Sequence, residues 1–345
     1  EFLTKENHEV VIIDSNAKIV EDMINKYDIS GIAGSGTNIN TLLDAGIKSA
    51  DILIATTEHD ELNILTCMFA KQQGVKHAIA RVRNPEYSTQ TKFMNEDLKL
   101  DLIINPELEA ANEISRILRF PSAETIELFA KNRVEIVGFK IPKNSKFINY
   151  SLEELRKQLN TKFLVVAVDR AKKAIIPTGK FTLQENDIIY VTGAKGDILN
   201  LAKELGIYKD RAKKIMIIGG SVITYYLANQ LIKANAKVKI IEMDKDRCLE
   251  LKELLPQATI IQGDGTDKDL LIEEGLNETD AFITLTGLDE ENIILSLFPN
   301  HLGVHKVITK INNLTYYEIL SSLNLSSVIS PKIITAYNIL RYVRS

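Results

Sequence analysis

The sequence predicts an α/β protein: two Rossmann-like, doubly wound parallel-sheet domains with a small α+β domain between them. Three observations carry this. Short apolar runs alternate with helical stretches of roughly 10–15 residues, the pattern of parallel strands covered on both faces. The alternation occurs twice, as duplication of a whole domain rather than a short repeat period. The stretch between the copies has a different texture, with strand-like runs close together and few helices.

The duplication is legible segment by segment. Val10–Asp14 matches Val238–Glu242, Gly34–Thr37 matches Gly263–Thr266, and Ala45–Asp51 matches Glu274–Asp280. Thr57–Asn63 then matches Thr286–Asn292, and Arg81–Asn84 matches Lys310–Asn313, at an offset that moves only from 228 to 229 residues.

The first copy is assigned residues 1–121, with strands at Val10–Asp14, Ile29–Ala33, Ile52–Ala55, Ala78–Val82 and Leu102–Ile104. Its start, Glu1–Lys5, aligns with Asn229–Lys233, inside the helix that follows the first strand of the other copy. The first strand and its glycine turn are therefore expected to be missing here, with roughly 20 further residues in front in the natural protein. The helix Pro106–Arg119 carries Ala110, Ile114, Ile117 and Leu118 on one stripe, and Pro121 ends it.

Residues 122–209 form the small domain, with strands at Thr125–Phe129, Val134–Phe139, Phe163–Asp169, Ala174–Pro177 and Asp187–Thr192. Helices fall at Leu152–Gln158 and Asp197–Leu205, with turn signals at Asn144–Ser145 and Thr178–Gly179. The second copy is assigned residues 210–345, with strands at Ile215–Ile218, Val238–Glu242, Thr259–Ile261, Phe282–Leu285, Val307–Thr309 and Val328–Ile329. A helix after Pro331 matches Pro106–Arg119, and the pair suits packing of one copy on the other. The small domain that follows the first copy has no counterpart after the second in this sequence, so it is expected to be missing here, like the first glycine turn.

Composition narrows the function. Of 345 residues, 45 % are apolar and 26 % charged, ordinary for a soluble protein. The net charge of −4 argues against a nucleic-acid coat. Two cysteines, Cys67 and Cys248, exclude a disulfide scaffold and suit a reducing cytosol. The longest clear apolar run, Phe163–Val168, has strand length, far below the roughly 20 residues of a membrane span. No secretory signal is legible. A cytoplasmic location follows, with any membrane role exercised through a partner.

The candidate site residues lie at strand ends. An acid closing the second strand of such a sheet can hold a ribose diol, and Asp14 and Glu242 both occupy that place. The turn Gly219–Thr224 would cradle a pyrophosphate, but Ser221 and Thr224 stand where G-x-G-x-x-G has its second and third glycines. Thr224 is expected to loosen helix–strand packing. After the third strand, Gly34, Ser35 and Gly36, and in the other copy Gly263 and Asp264, sit beside the expected adenine. These positions equally serve a tight turn. Thr57 and Thr286 follow the fourth strand, where they also suit helix capping, and Arg81 and Lys310 end the fifth.

Other residues take structural readings. His301 and His305 are spaced i, i+4, but Gly303 ends the helix between them, so no metal site is expected. Cys67 lies in an apolar helix and reads as core. His8, His59 and His77 do not cluster. No P-loop, nucleophile elbow or acid–base set is present, so no catalytic residue is assigned.

Asp14, the Gly-x-Gly-Thr turn, the Ala45–Asp51 segment, the Thr57–Asn63 motif and Ala80–Val82 together resemble RCK (KTN) domains. The middle segment resembles their small C-terminal subdomain, and the likeness covers essentially the whole chain. Two such units in tandem resemble the regulatory subunits of bacterial Trk potassium-uptake systems. The resemblance implies NAD(H) binding, with ATP or ADP as further nucleotides. It also implies a peripheral position at the inner face of the cell membrane and a channel-like partner of the TrkH/TrkG type. Self-association into a dimer or tetramer ring is implied as well.

Two other readings are open. A NAD-dependent dehydrogenase needs a substrate domain with a positioned acid or base, and residues 122–209 contain no histidine. A regulatory domain of another potassium channel or antiporter differs only in its partner.

Overall fold

In a computed structural model, the first copy folds as two separate pieces of parallel sheet. The structure describes residues 2–344 apart from 89, 121, 130–133, 160, 172, 209–211, 317–319, 321, 322, 324 and 326. The domain limits expected at Pro121 and Lys209, and the start at Glu1, fall outside the described residues.

Helix α1 (Phe2–Lys5) precedes β1 (Val11–Asp14), α2 (Ala17–Tyr27) and β2 (Ser30–Ala33). Asn16 starts α2 by accepting the Lys18 N–H at 3.0 Å, and Asp28 closes it in the left-handed region at φ 52°. Next come α3 (Ile39–Asp44), β3 (Ile52–Ala55), α4 (Asp60–Gln72) and β4 (His77–Arg81). The short α5 (Pro85–Ser88) and α6 (Thr91–Glu96) lead to β5 (Leu102–Ile104) and α7 (Pro106–Arg119). Strands β1 and β2 pair with each other, and β3, β4 and β5 form the other piece. Among the described residues no strand lies between β1 and β3.

The small domain contains β6 (Thr125–Phe129), β7 (Val134–Lys140), α8 (Leu152–Gln158), β8 (Phe163–Arg170), β9 (Lys173–Ile175), β10 (Ile188–Gly193) and α9 (Lys195–Glu204). Its sheet is antiparallel in the order β6-β7-β10-β8-β9. A capping box between Ser151 and Glu154 starts α8. Phe139, Phe147, Leu155, Ile189 and Leu201 fill its core.

The second copy runs β11 (Lys214–Ile218), α10 (Val222–Lys233), β12 (Lys237–Glu242), α11 (Lys245–Leu254), β13 (Thr259–Gln262), α12 (Lys268–Glu273), β14 (Ala281–Thr284), α13 (Asp289–His301), β15 (Lys306–Lys310), β16 (Ser327–Ile329) and α14 (Pro331–Val343). Its sheet is one parallel array in the order β13-β12-β11-β14-β15-β16. The strand order reverses at β11, and the crevice beyond the carboxyl ends of β11 and β14 is where such sheets collect ligands. Flanked on both sides, Ile215, Met216, Ile217 and Ile218 of β11 are all buried. Helix α13 ends at His301, and Gly303 turns the chain at φ 78°, so His301 and His305 share no helical face.

The chain divides into two compact units, residues 1–111 with 330–345, and residues 112–329. Helix α14 thus belongs with the first copy. There Tyr342 Oη lies 2.8 Å from His77 Nδ1, the Tyr337 and Phe2 ring centroids are 5.7 Å apart, and Arg344 pairs with Glu6. Most of α7 belongs with the second copy, where Asn112 accepts a bond from Gln230 at 2.8 Å.

Candidate functional site

The glycine turn of the second copy is tied to the acid that ends β12. Glu242 Oε2 accepts the Gly220 N–H, and its Oε1 accepts the Asp244 N–H at 2.7 Å. Arg247 Nε donates to the Gly220 carbonyl, so Gly220 is held at both its N–H and its C=O. Gly219 adopts φ 97°, and a Cβ there would lie 2.9 Å from the Leu285 carbonyl oxygen. Ser221 caps α10 by accepting the Thr224 N–H at 3.3 Å. Thr224 is fully buried and donates its hydroxyl to the Gly219 carbonyl at 2.6 Å. The loosening expected at Thr224 is therefore corrected: its hydroxyl fills and bonds the space a glycine would leave.

The turns after β2 and β13 start from backbone bonds to the acids. The Gly34 N–H donates to the Asp14 carbonyl at 2.8 Å, and the Gly263 N–H to the Glu242 carbonyl at 3.0 Å. Ser35 and Thr37 hydroxyls lie 2.8 Å apart across Gly36. Asp264 Oδ1 accepts the Thr266 N–H at 2.8 Å and its hydroxyl at 2.7 Å, which holds the Asp264 carboxyl below the usual range.

At the carboxyl edge the copies share one device. Asn63, fully buried in α4, accepts the Thr57 N–H and hydroxyl and donates to the carbonyls of Thr57 and Arg81. Arg81 Nη2 also donates to the Thr57 carbonyl, at 2.7 Å. In the second copy Asn292 holds the Thr286 N–H and carbonyl, and Lys310 Nζ donates to that carbonyl at 2.7 Å. Asp60 Oδ2 accepts the N–H groups of Arg83 and Asn84, both at 2.8 Å. Asp289 Oδ2 takes those of Asn312 and Asn313 at 2.8 and 2.7 Å.

Among the described residues, three polar atoms at this edge of the first copy are buried without a hydrogen-bond partner: Asp60 Oδ1, Arg81 Nε and Glu107 Oε2. Burial, reinforced by Arg83, pushes the Arg81 guanidinium below its ordinary value. Burial also raises the Glu107 carboxyl, against the opposing pull of Arg83 and Arg81.

The TrkA-N domain family matches residues 1–106 and again 215–331, and the TrkA-C domain family matches 136–206. The chain belongs to the TrkA family. Trk system potassium uptake protein trkA homolog 1 of Methanosarcina mazei is 34 % identical over 342 residues, covering 97 % of this chain and 83 % of that one. Trk system potassium uptake protein TrkA of Halomonas elongata is 31 % identical over 347 residues, covering 100 % of this chain and 76 % of its own. Among solved structures, the GsuK channel bound to NAD aligns with a TM-score of 0.71 at 18 % identity, over 98 % of this chain and 60 % of the other. The same protein bound to ADP aligns at 0.61 and 15 % identity, over 98 % and 63 %. The TrkA family thus accounts for the duplicated Rossmann-like domains and the small domain between them.

The residues fit the nucleoside end of an adenine nucleotide better than its pyrophosphate. Asp14 keeps Oδ1 on the Asn16 N–H at 2.8 Å, and Asp264 stands at its turn. In the second copy, two turn N–H groups that could meet phosphate, those of Gly220 and Thr224, are taken by Glu242 and Ser221. The structure joins Glu242 to Gly220 and, through Thr224, Ser221 to Gly219, and it joins Thr57 to Arg81 and Thr286 to Lys310. Among the described residues no bond runs from Ser35 or Asp264 to those groups. Sequence reasoning passed over Asn63, Asn292, Asp60 and Asp289 as organisers. Their signal was a polar residue recurring at the same offset inside an otherwise apolar helix.

Among the described residues, no group of three or more His, Cys, Asp or Glu could hold a metal ion, and no helix is long and apolar enough to cross a membrane.

Proposed function

We propose that this chain is a nucleotide-sensing regulatory subunit of potassium uptake. It binds NAD(H), and ATP or ADP, at the carboxyl edge of its Rossmann-like sheets. It gates a channel-like membrane subunit of the TrkH/TrkG type from the inner face of the cell membrane, as a dimer or tetramer ring. By sequence the domains are residues 1–121, 122–209 and 210–345, with α14 and most of α7 each grouped in space with the other copy.

One observation supports this above the others: the same constellation is built twice. In each copy an acid ends the second strand, a Gly-x-Gly-Thr turn follows the third, and an Asn-held Thr faces a cation on the fifth. The names of the relatives supply potassium uptake, and GsuK bound to NAD and to ADP supplies the ligand class.

In this reading Asp14 and Glu242 take the ribose, Ser35 and Asp264 line the adenine edge with Gly34, Gly36 and Gly263, and Gly219, Gly220 and Ser221 face phosphate. Thr57 with Arg81, and Thr286 with Lys310, close the far side. A nucleotide that binds one arrangement of the domains more tightly shifts the population toward it, by no more than its difference in affinity. The chain carries out no reaction of its own. Arg170 of the small domain is bidentate to buried Asp187 rather than set for a substrate carboxylate.

Calorimetry of the whole chain with NADH, NAD, ATP and ADP tests this. At least one should bind saturably and lose about tenfold in affinity in Arg81→Gln together with Lys310→Gln. Heat changes indistinguishable from dilution for all four would overturn it.

A further inference from the structure

The three unpartnered atoms of the first copy, Asp60 Oδ1, Arg81 Nε and Glu107 Oε2, come from three elements that the fold brings to one place. Arg81 ends β4, and its register partner in β5 is Ile104, which leads directly into the first turn of α7 and Glu107. Asp60 opens α4 and is 7 % exposed. It spends Oδ2 on the N–H groups of Arg83 and Asn84, so its carboxylate lies against the chain just past Arg81. Burial lowers the Arg81 guanidinium and raises the Glu107 carboxyl, and within those shifts each acts on the other and Asp60 acts on both. All three belong to the unit of residues 1–111 and 330–345.

Hydrogen-bond chemistry sets the ligand class. Leaving buried donors and acceptors unmade is costly, and three at one ligand-facing edge ask for a common partner. The set is one donor and two acceptors: Arg81 Nε gives a hydrogen, and each carboxylate oxygen takes one. Its complement has one acceptor oxygen and two N–H hydrogens, which is a primary carboxamide. A phosphate, which only accepts, would leave both carboxylate oxygens unanswered and add negative charge beside them. The second copy lacks the set. There Asp289 Oδ1 takes the Asn312 amide at 3.2 Å, Lys310 reaches the Thr286 carbonyl, and Lys332 follows Pro331 where Glu107 follows Pro106.

We propose that Asp60, Arg81 and Glu107 hold the carboxamide of a nicotinamide ring, so that the first copy selects NAD(H) over ATP and ADP, which carry no such group. The inference rests on the nucleotide reading above and names the end of the ligand that this copy recognises. Asp60 Oδ1 and Glu107 Oε2 each accept one amide hydrogen, and Arg81 Nε donates to the amide oxygen. The Arg83 side chain, 38 % exposed and with Nε 3.8 Å from Asp60 Oδ1, is the wall that turns aside to admit the ring. The second copy, without the set, does not distinguish NAD from ADP by that group.

Calorimetry of the whole chain with NAD, with nicotinic acid adenine dinucleotide and with ADP tests this. The acid analogue differs from NAD only in a carboxylate where NAD has the carboxamide, so it sets a negative charge against Asp60 and Glu107. NAD should bind at least about tenfold more tightly than the analogue. Glu107→Gln, whose amide can donate to a carboxylate, should cut that preference to about threefold or less. Because Glu107 belongs to the first copy alone, the change reports that copy, and a purely structural role of Glu107 would not move the preference. Equal affinity of the wild type for NAD and the analogue, or a preference unchanged in Glu107→Gln, overturns the proposal, while saturable ADP binding leaves the nucleotide reading standing. No saturable binding of any of the three overturns both.

Discussion

Asn63 holds Thr57 from three directions: its Oδ1 takes the Thr57 N–H at 2.8 Å and the hydroxyl at 2.7 Å, while Nδ2 donates to the Thr57 carbonyl at 3.1 Å. The loop after β3 is thereby fixed to α4, and through the Arg81 carbonyl to β4. Removing a buried partner costs the desolvation of every group it leaves unpaired. Asn63→Ala should therefore lower stability by about 2–4 kcal/mol in urea unfolding. Asn292→Ala should do the same in the second copy. A loss under about 0.5 kcal/mol, the scale of a surface change, would show that water replaces the amide at no cost.

The ribose assignment rests on the ends of β1 and β12. Asp14→Ala should weaken NADH binding by about 1–3 kcal/mol through a lost pair of charge-assisted hydrogen bonds. Titration calorimetry on the whole chain reads this directly. An unchanged affinity in a chain that binds NADH would remove Asp14 from the site.

The turn of the second copy gives a prediction with two opposed parts. Ser221→Gly with Thr224→Gly should raise affinity for ADP there, since the glycine backbone opens toward phosphate. The same change removes the cap of α10 and the bond to the Gly219 carbonyl, so stability should fall by about 1–3 kcal/mol. Calorimetry and thermal melting of the double variant separate the two. A stable variant with flat ADP affinity would show that glycine content does not limit this site.

Much of this was readable from residues alone, for a physical reason. Parallel strands buried on both faces are continuous apolar runs, so Ile215–Ile218 and Ile52–Ala55 declare themselves, and the repeat doubles each signal. Strand limits moved by a residue or two, as at β15, where Lys306 and Lys310 join the ladder although neither is apolar. The hidden part was the work of polar side chains. Whether a Thr in helix α10 loosens or mends the turn depends on a single oxygen 2.6 Å away, which no periodicity encodes. Nor does sequence tell that Glu242 reaches back to Gly220, a contact made only when the chain has folded.

Glu107 gives a pH prediction. Burial raises its folded carboxyl above the unfolded value, and Oε2 has no partner. A raised pKa means that its favourable contribution is present below the unfolded value and is lost as pH rises through the folded one. At neutral pH the ionised group is a cost, tempered by its partial exposure and by Arg83 and Arg81. Glu107→Gln should therefore raise the melting temperature by about 2 °C near pH 7, and the difference should close in acid. A variant less stable than wild type at pH 7 would show that the two arginines outweigh burial.

Assembly can be read from one helix. In α7, Ile114 is fully buried and Leu118 is 2 % exposed, while Ile117 on the same stripe is only half-buried. A core position and a partly exposed apolar position thus lie one turn apart. Ile114→Asp should unfold its unit, because a carboxylate would enter a closed apolar site. Ile117→Asp should leave the melting temperature nearly unchanged in dilute solution while lowering the mass seen by light scattering. The expected wild-type mass at tens of micromolar is that of a dimer or tetramer. A monomeric wild type would argue against the ring. If Ile117→Asp changed neither mass nor melting temperature, this face of α7 would be neither core nor interface, and association would have to use another surface.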